Sequence, residues 1–240
     1  MLGLGNSITL SSAPSAAPGV GEISPSNLKI WLKRGEGQVS SSGSLSAWSS
    51  TSPADNNFTQ GRAAQQPSIS GDEVTFSSGP ASNLNTTSGT DTFTQFTLMV
   101  VINPDESASP NNEYIIGGSD NDMLQVYITG DATKALITMN GVAKAVALSP
   151  GLTTGDNDIL LTVTRDTSAN LIFRINGSQA GTATGNISDE FDVFSIGSNV
   201  GSGDDKTYDG QINEVVMYDI QLTGSDLTNA ENDVMNRSGI

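Results

Sequence analysis

The sequence predicts an all-β domain. From about Pro25 onward, short apolar segments are separated by Gly, Asn, Asp and Pro, a spacing typical of strands joined by turns. Only 15% of the 240 residues are charged, so Ser, Thr, Asn and Gly supply most of the polar surface, as in turns and exposed strand faces. Two Asn-Gly dipeptides, Asn140-Gly141 and Asn176-Gly177, predict two-residue hairpin turns, because Asn and Gly readily adopt positive φ.

Three apolar segments indicate how the strands are buried. In residues 98–102 (LMVVI) both alternate sets are apolar, which predicts a central strand covered on both faces. Residues 159–163 and 171–175 alternate more regularly, so each is expected to bury one face and to turn the other towards water. The residues expected on the buried faces are Ile159, Leu161, Val163, Leu171, Phe173 and Ile175.

A short helix is predicted at the C-terminus. Thr223 or Ser225 can serve as its N-cap, and Gly239 is suited to end it. Its apolar stripe consists of Leu227, Ala230 and Val234. This stripe is expected to pack against the β-structure.

Residues 1–24 predict an extended N-terminal arm, because Ser, Ala, Pro and Gly dominate them. The segment has no basic start and its apolar residues are scattered, so it fits neither an export signal nor a membrane span. The expected organisation is therefore an arm at 1–24 and one domain at 25–240.

Charge and composition exclude several classes of function. The chain has 10 basic and 26 acidic residues and a net charge of −16, which repels nucleic acid and anionic membranes. It contains no cysteine and no histidine. Disulfides, thiolate metal sites and histidine-based catalysis are therefore excluded.

The C-terminal run 208–227 (YDGQINEVVMYDIQLTGSDL) resembles the closing strand and helix of laminin-G-like domains in the concanavalin A-like lectin/glucanase superfamily. The matching residues are Tyr208, Gly210, Ile212, Glu214, Val215, Val216, Tyr218, Asp219 and Leu222. Trp31, Trp48, residues 93–103, 160–166, 173–177 and 194–198 follow the family pattern in the same order. The resemblance implies an antiparallel two-sheet jelly-roll sandwich with a short C-terminal helix.

The start of the chain, MLGLG followed by Ser, Ala and Pro, is similar to the start of tailed-phage virion proteins. This similarity implies a virion location and a non-enzymatic capsid decoration or cement protein, assembled in multiple copies. Its arm would dock on the major capsid protein or a tail protein through Leu2, Leu4, Ile8 and Leu10. The alternative is a carbohydrate-binding module for host attachment on a phage tail or fibre.

No catalytic residue is predicted. Glycosidases of the superfamily typically carry Glu-x-Asp-x-x-Glu on one strand, and no such run occurs here. Glu214 is the only carboxylate within an apolar strand, where alternation would place it on the face of Ile212, Val216 and Tyr218. It is either an acid with a raised pKa, as in a degenerate glycoside hydrolase or lyase, or a carboxylate held by hydrogen bonds. We favour the second interpretation.

No cofactor is required by the sequence, although calcium is a candidate ligand because hard cations prefer clustered oxygen donors on loops. Asp204, Asp205 and Asp209 are the better candidates, ahead of residues 120–122 (DND). Neither group has the spacing of a calcium loop, and plain polar turns are the alternative.

A sugar site would normally use an exposed aromatic residue. The resemblance gives Trp31 and Trp48 structural roles. Tyr127 alternates away from its apolar neighbours and is expected to face outward, as are Tyr114 and Tyr208 near loops. The ligand-binding residues stay unassigned at this point.

Overall fold

The computed structural model describes residues 20–77, 81–89, 91–104, 113–118, 122–129, 132–152, 157–199 and 207–240. In them it places nineteen strands and one α-helix, with short 3-10 helices at Val20–Glu22, Pro25–Asn27 and Ala63–Gln65. The strands are β1 (Leu28–Leu32), β2 (Gln38–Ser41), β3 (Ser44–Trp48), β4 (Phe58–Thr59), β5 (Ser68–Ser70), β6 (Glu73–Phe76), β7 (Leu84–Thr86), β8 (Asp91–Phe93), β9 (Phe96–Pro104), β10 (Glu113–Gly117), β11 (Met123–Thr129), β12 (Ala132–Met139), β13 (Val142–Ala147), β14 (Ile159–Arg165), β15 (Asn170–Ile175), β16 (Ser178–Thr184), β17 (Phe191–Val193), β18 (Ser195–Ile196) and β19 (Gly210–Tyr218). The helix is α1 (Gly224–Ser238).

Two antiparallel sheets form the body of the protein. The helix-side sheet has the strand order β16-β15-β14-β9-β19-β1. The opposite sheet has the order β13-β12-β11-β10-β18-β7-β4-β3-β2. Strands β5 and β6 connect β3 to β19, and β8 pairs with β17. The architecture is the predicted jelly-roll sandwich with a C-terminal helix.

The main core lies between the two sheets. Alternate residues of β9, among them Leu98 and Val100, meet residues of the opposite sheet such as Leu124 and Ile137, all fully buried. Trp48 is also fully buried there, and its Nε1 donates to the carbonyl of Glu36. Its predicted structural role is confirmed.

Helix α1 makes a third layer on the outer face of the helix-side sheet. Ala230 and Val234 of α1 are fully buried against Met99, Val101 and Leu160 of that sheet. The predicted apolar stripe is thus confirmed, and β9 is covered on both faces as predicted. The helix starts after Thr223 and ends at Gly239, which has a φ of 73°.

The N-terminal end of the described chain packs on the same helix. Val20 is fully buried in this outer layer. The backbone N–H of Gly21 donates to Oδ2 of Asp233 at 2.8 Å. Residues 20–22 therefore contact α1, whereas residues 1–19 of the predicted arm lie outside the described residues.

Strand β14 differs from its prediction. All seven of its residues are buried, including Leu160, Thr162 and Thr164 on the face expected to meet water. The expectation was wrong because α1 and the chain before it cover this face. In β15, by contrast, Leu171, Phe173 and Ile175 are buried as predicted, while the alternate residues stay partly exposed.

Both predicted hairpins are present. Asn140-Gly141 joins β12 to β13, and Asn176-Gly177 joins β15 to β16. Positive φ occurs at all four residues: 48° and 74° in the first turn, 46° and 77° in the second. This conformation is that of the tight turns that Asn-Gly favours.

A β-bulge in β19 reverses part of the predicted alternation. Ile212 pairs with Ile102 of β9, but Glu214 pairs with the next residue, Val101, which leaves Asn213 as an extra residue in β19. Ile212 consequently faces the main core, and Glu214 faces α1. The prediction that these two residues share a face was wrong.

The turn at Gly197 allows a direct test of packing. Gly197 has a φ of 82°, and a Cβ there would overlap the ring of the fully buried Phe76. We expect Gly197→Ala to lower the free energy of unfolding by about 3 kcal/mol, from strained φ and from the overlap. Gly141→Ala is the control, because its φ of 74° is similar but no atom lies within 4 Å of the added Cβ. Equal losses in urea denaturation would contradict the packing argument.

Tyr218 makes stability depend on alkaline pH. Burial raises the pKa of Tyr218 to about 12; the nearby Asp233 carboxylate raises it further, and Arg237 lowers it. The unfolded tyrosine ionises near pH 10, so the native state holds its proton longer and stability falls as pH rises from about 10 to about 12. Between pH 8 and pH 11.5 the free energy of unfolding should fall by about 2 kcal/mol less in Tyr218→Phe than in the unchanged protein, as measured by denaturation at the two pH values. Parallel pH profiles for the two proteins would refute the assignment.

Candidate functional site

A polar depression of about 540 Å³ opens at one end of the helix-side sheet. Its lining comes from the ends of many elements, since several strands and one turn of that sheet finish at this edge. The lining residues are Arg34, Glu73, Asn103, Asn157, Asp158, Asn176, Gln211 and Ser238 to Ile240. Side-chain amides and charged groups thus converge at one place on the surface.

Arg34 is the centre of the charged network in the depression. Its guanidinium donates to Asp158, to Asp72 at 3.1 Å and to Glu73 at 3.4 Å. Burial opposes the charge of Arg34, but Asp72 and Asp158 outweigh it, so the pKa of Arg34 is raised. The second oxygen of Asp158 accepts from Nδ2 of Asn213 at 2.9 Å. The Asp158 carboxylate is therefore held from two sides, by Arg34 and by Asn213.

The bulge residue Asn213 links this network to the strands around it. Its Oδ1 accepts from the backbone N–H of Val74 at 3.0 Å, and its Nδ2 also donates to Gln211 at 3.2 Å. Asn213 is fully buried. It fixes both Asp158 and Gln211 as walls of the depression.

Asn176 forms another wall from the β15–β16 turn. Its Oδ1 accepts from the backbone N–H of Leu160 at 2.8 Å, which ties the turn to β14. Asn176 also lines a second, smaller recess of about 270 Å³. That recess is lined by Pro150, Gly151, Ile159, Ile175, Asn176 and Ser178. The two cavities therefore share Asn176.

Glu214 lies away from the depression, beneath α1. Its side chain is fully buried, and Oε1 accepts from Nε1 of Trp31 at 2.9 Å and from Nη2 of Arg237 at 2.7 Å. Arg237 and Lys33 both lie over the Trp31 ring, 5.3 Å and 5.2 Å from its centroid. Arg237 also pairs with Asp233. Glu214 thus holds the helix on the sheet, which supports the structural interpretation.

The predicted calcium residues fall partly outside the described residues. Asp204 and Asp205 are not described, and the backbone N–H of Asp209 donates to Glu113 at 2.6 Å. Asp122, from the second predicted group, is fully buried and accepts from the backbone N–H groups of Asn140 and Asp192. Among the described residues no group of three or more acidic side chains could hold a metal. A calcium site at Asp204, Asp205 and Asp209 stays a prediction.

The predicted partner-binding residues Leu2, Leu4, Ile8 and Leu10 also lie outside the described residues. Their docking role stays a prediction.

In the described part of the chain, α1 is too short and too polar to cross a membrane.

A comparison with protein families identifies the superfamily of the chain. Residues 76–228, more than half of the chain, match the Laminin_G_3 model of the concanavalin A-like lectin/glucanases superfamily. The chain belongs to this superfamily. No curated protein matches it.

Solved structures share the superfamily fold at low sequence identity. The binding domain of Paraclostridial Mosquitocidal Protein 1 is 14% identical with a TM-score of 0.61, over 89% of this chain and 53% of that chain. Domain 4 of an extracellular arabinanase from Geobacillus stearothermophilus, solved with arabinotriose, is 16% identical with a TM-score of 0.56, over 85% and 98%. The ligand binding domain of botulinum neurotoxin serotype D, solved with N-acetylneuraminic acid, is 14% identical with a TM-score of 0.54, over 87% and 51%. The chain spans about half of the two toxin domains.

The tyrosines of this superfamily domain only partly follow their predictions. Tyr127 is partly exposed, and its hydroxyl lies 3.3 Å from Oε1 of Gln125. Tyr114 and Tyr208 are buried, so the expectation that they face outward was wrong. The alternation of apolar and polar residues along a strand does not show whether another segment of the same chain covers the end of that strand.

The depression was not predicted from the sequence. Its residues are spread from Arg34 to Ile240 and form no local motif. The only available signal was that Asn103, Asn157 and Gln211 stand at the ends of apolar strands. Their convergence depends on strand order and on the bulge at Asn213.

The buried pair of Glu214 and Arg237 can be tested in this superfamily domain. Glu214→Gln keeps the size of the side chain but leaves Arg237 without its buried counter-charge, so we expect a loss of about 3 kcal/mol in unfolding free energy. Glu190→Gln, at an exposed position, should change it by less than about 0.5 kcal/mol. Both values come from urea denaturation. Similar small losses in both variants would show that the pair does not hold the helix.

Proposed function

We propose that the chain is a carbohydrate-binding module whose site is the polar depression. The observation that carries this proposal is the convergence of Asn103, Asn157, Asn176 and Gln211 with the charged network of Arg34 in one open cavity. Sugars present hydroxyl groups that both donate and accept hydrogen bonds. Asn and Gln amides offer both functions on one side chain.

The depression is held rigid before any ligand arrives. Asp158 is bonded to Arg34 and Asn213, and Asn176 is bonded to the backbone of β14. A wall that is already ordered costs less conformational entropy on binding. This rigidity suits recognition of a ligand as polar and well hydrated as a sugar.

The charged residues of the depression favour binding without catalysis. Glycoside hydrolysis needs a carboxyl group that can give a proton to the leaving oxygen. Here Glu73 and Asp158 both bond to Arg34, and Glu214 is fully buried beneath α1. We therefore propose a non-enzymatic module and not a glycoside hydrolase or lyase.

The structural neighbours support a sugar as the ligand. Arabinotriose was bound to the arabinanase domain and N-acetylneuraminic acid to the neurotoxin domain. These ligands belong to those proteins. The shared fold supports the class of ligand, while the residues of the depression support its location.

The virion setting stays a prediction. It depends on the start of the chain, which lies outside the described residues. A sugar-binding module on a phage tail or fibre would agree with both the depression and that prediction. A capsid decoration protein docked through Leu2, Leu4, Ile8 and Leu10 remains the other predicted role.

Binding can be tested with a glycan array followed by calorimetry on the strongest ligand. Asn103→Ala and Asn157→Ala should each weaken binding about three- to tenfold, because each removes a hydrogen-bonding amide from the depression. Asn232→Ala is the control, since Asn232 is an exposed amide on α1 outside the lining. Unchanged affinity in both depression variants, or no binding to any glycan, would refute the proposal.

A further inference from the structure

The second recess adds an apolar compartment to the proposed sugar site. Ile159, Ile175 and Pro150 line it, whereas the depression beside it is lined mainly by amides and charged groups. Asn176 lines both cavities, and its side chain is held by the backbone of Leu160. A ligand that fills both cavities needs a polar ring next to an apolar substituent.

We propose that the site selects neutral sugars that carry a methyl-bearing substituent, such as an N-acetyl group or the methyl group of a 6-deoxy sugar. This inference rests on the proposed function and names its ligand class. The sugar hydroxyls bind in the depression, and the methyl group enters the recess beside Ile159 and Ile175. Removing one methyl group from water at this recess favours binding by about fourfold.

The charges of the depression select against acidic sugars. Among the described residues of the lining Arg34 is the only cation, and three carboxylates, those of Asp72, Glu73 and Asp158, bond to it. The described network therefore carries a net negative charge, within a chain of net charge −16. A carboxylate on the sugar would meet repulsion instead of a partner. Neutral sugars avoid this cost.

The size of the recess limits what can enter it. Its volume of about 270 Å³ is half that of the depression. Ser178, at the start of β16, is exposed at its rim. A larger apolar side chain at this position would occupy the recess and leave the depression intact.

The test compares two trisaccharides and two variants. Tri-N-acetylchitotriose and cellotriose differ only in the acetamido or hydroxyl group at C2, and a glycan array adds 6-deoxy and carboxylated sugars in matched pairs. We expect the array to favour the methyl-bearing, neutral member of each bound pair by at least about fourfold. Ser178→Leu should abolish that preference, whereas Gln179→Leu, exposed on the same strand, should preserve it.

The outcomes separate this inference from the proposed function. Glycans that bind equally with and without the methyl group, or better with a carboxylate, overturn the inference while the proposed function stands. A preference that survives Ser178→Leu also overturns it, because the recess would then not be the cause. Failure of every glycan to bind overturns the proposed function and the inference together. Circular dichroism of both variants confirms that they are folded.

Discussion

The bulge at Asn213 connects the core of this protein to its candidate site. One extra residue in β19 turns Ile212 into the main core and Glu214 towards α1, although β9 continues beside them without interruption. The same bulge directs the Asn213 amide to Asp158, Gln211 and the backbone of Val74. In a regular strand Ile212 and Glu214 would lie on the same face, because side chains alternate between the two faces. The extra residue is therefore needed to place Ile212 in the main core and Glu214 towards α1.

The position of α1 on the outer face of the helix-side sheet depends on Glu214, which the bulge directs towards the helix. Glu214 receives bonds from Trp31 of β1 and Arg237 of α1, so one carboxylate joins two strands and the helix. A buried ion pair contributes little net stability compared with apolar packing, but it tolerates no missing partner. We infer that the pair chiefly fixes where α1 sits on the sheet. The end of α1 then contributes Ser238 to Ile240 to the depression.

The sequence predicted those features that depend on local pattern. The both-faces burial of β9, the hairpins at Asn140-Gly141 and Asn176-Gly177, and the apolar stripe of α1 all follow from residues close together in the chain. The outer face of β14 was mispredicted because α1, which lies far along the chain from β14, covers it. The bulge leaves no trace in the alternation of residues 210–218, and the depression combines residues from both ends of the chain. Such features depend on tertiary contacts, which periodicity does not contain.

The distribution of positive charge explains why the proposed site would select neutral ligands. Four of the five arginines bond inward: Arg34 to three carboxylates, Arg165 to backbone carbonyls, Arg174 to Glu231 and Arg237 to Glu214. Each arginine that fixes an element is thereby neutralised or buried, and is not available as a partner for an acidic ligand. The amides at the strand ends are then the main groups in the depression that can meet a ligand. The proposed preference for neutral sugars thus follows from the way in which the fold itself is held together.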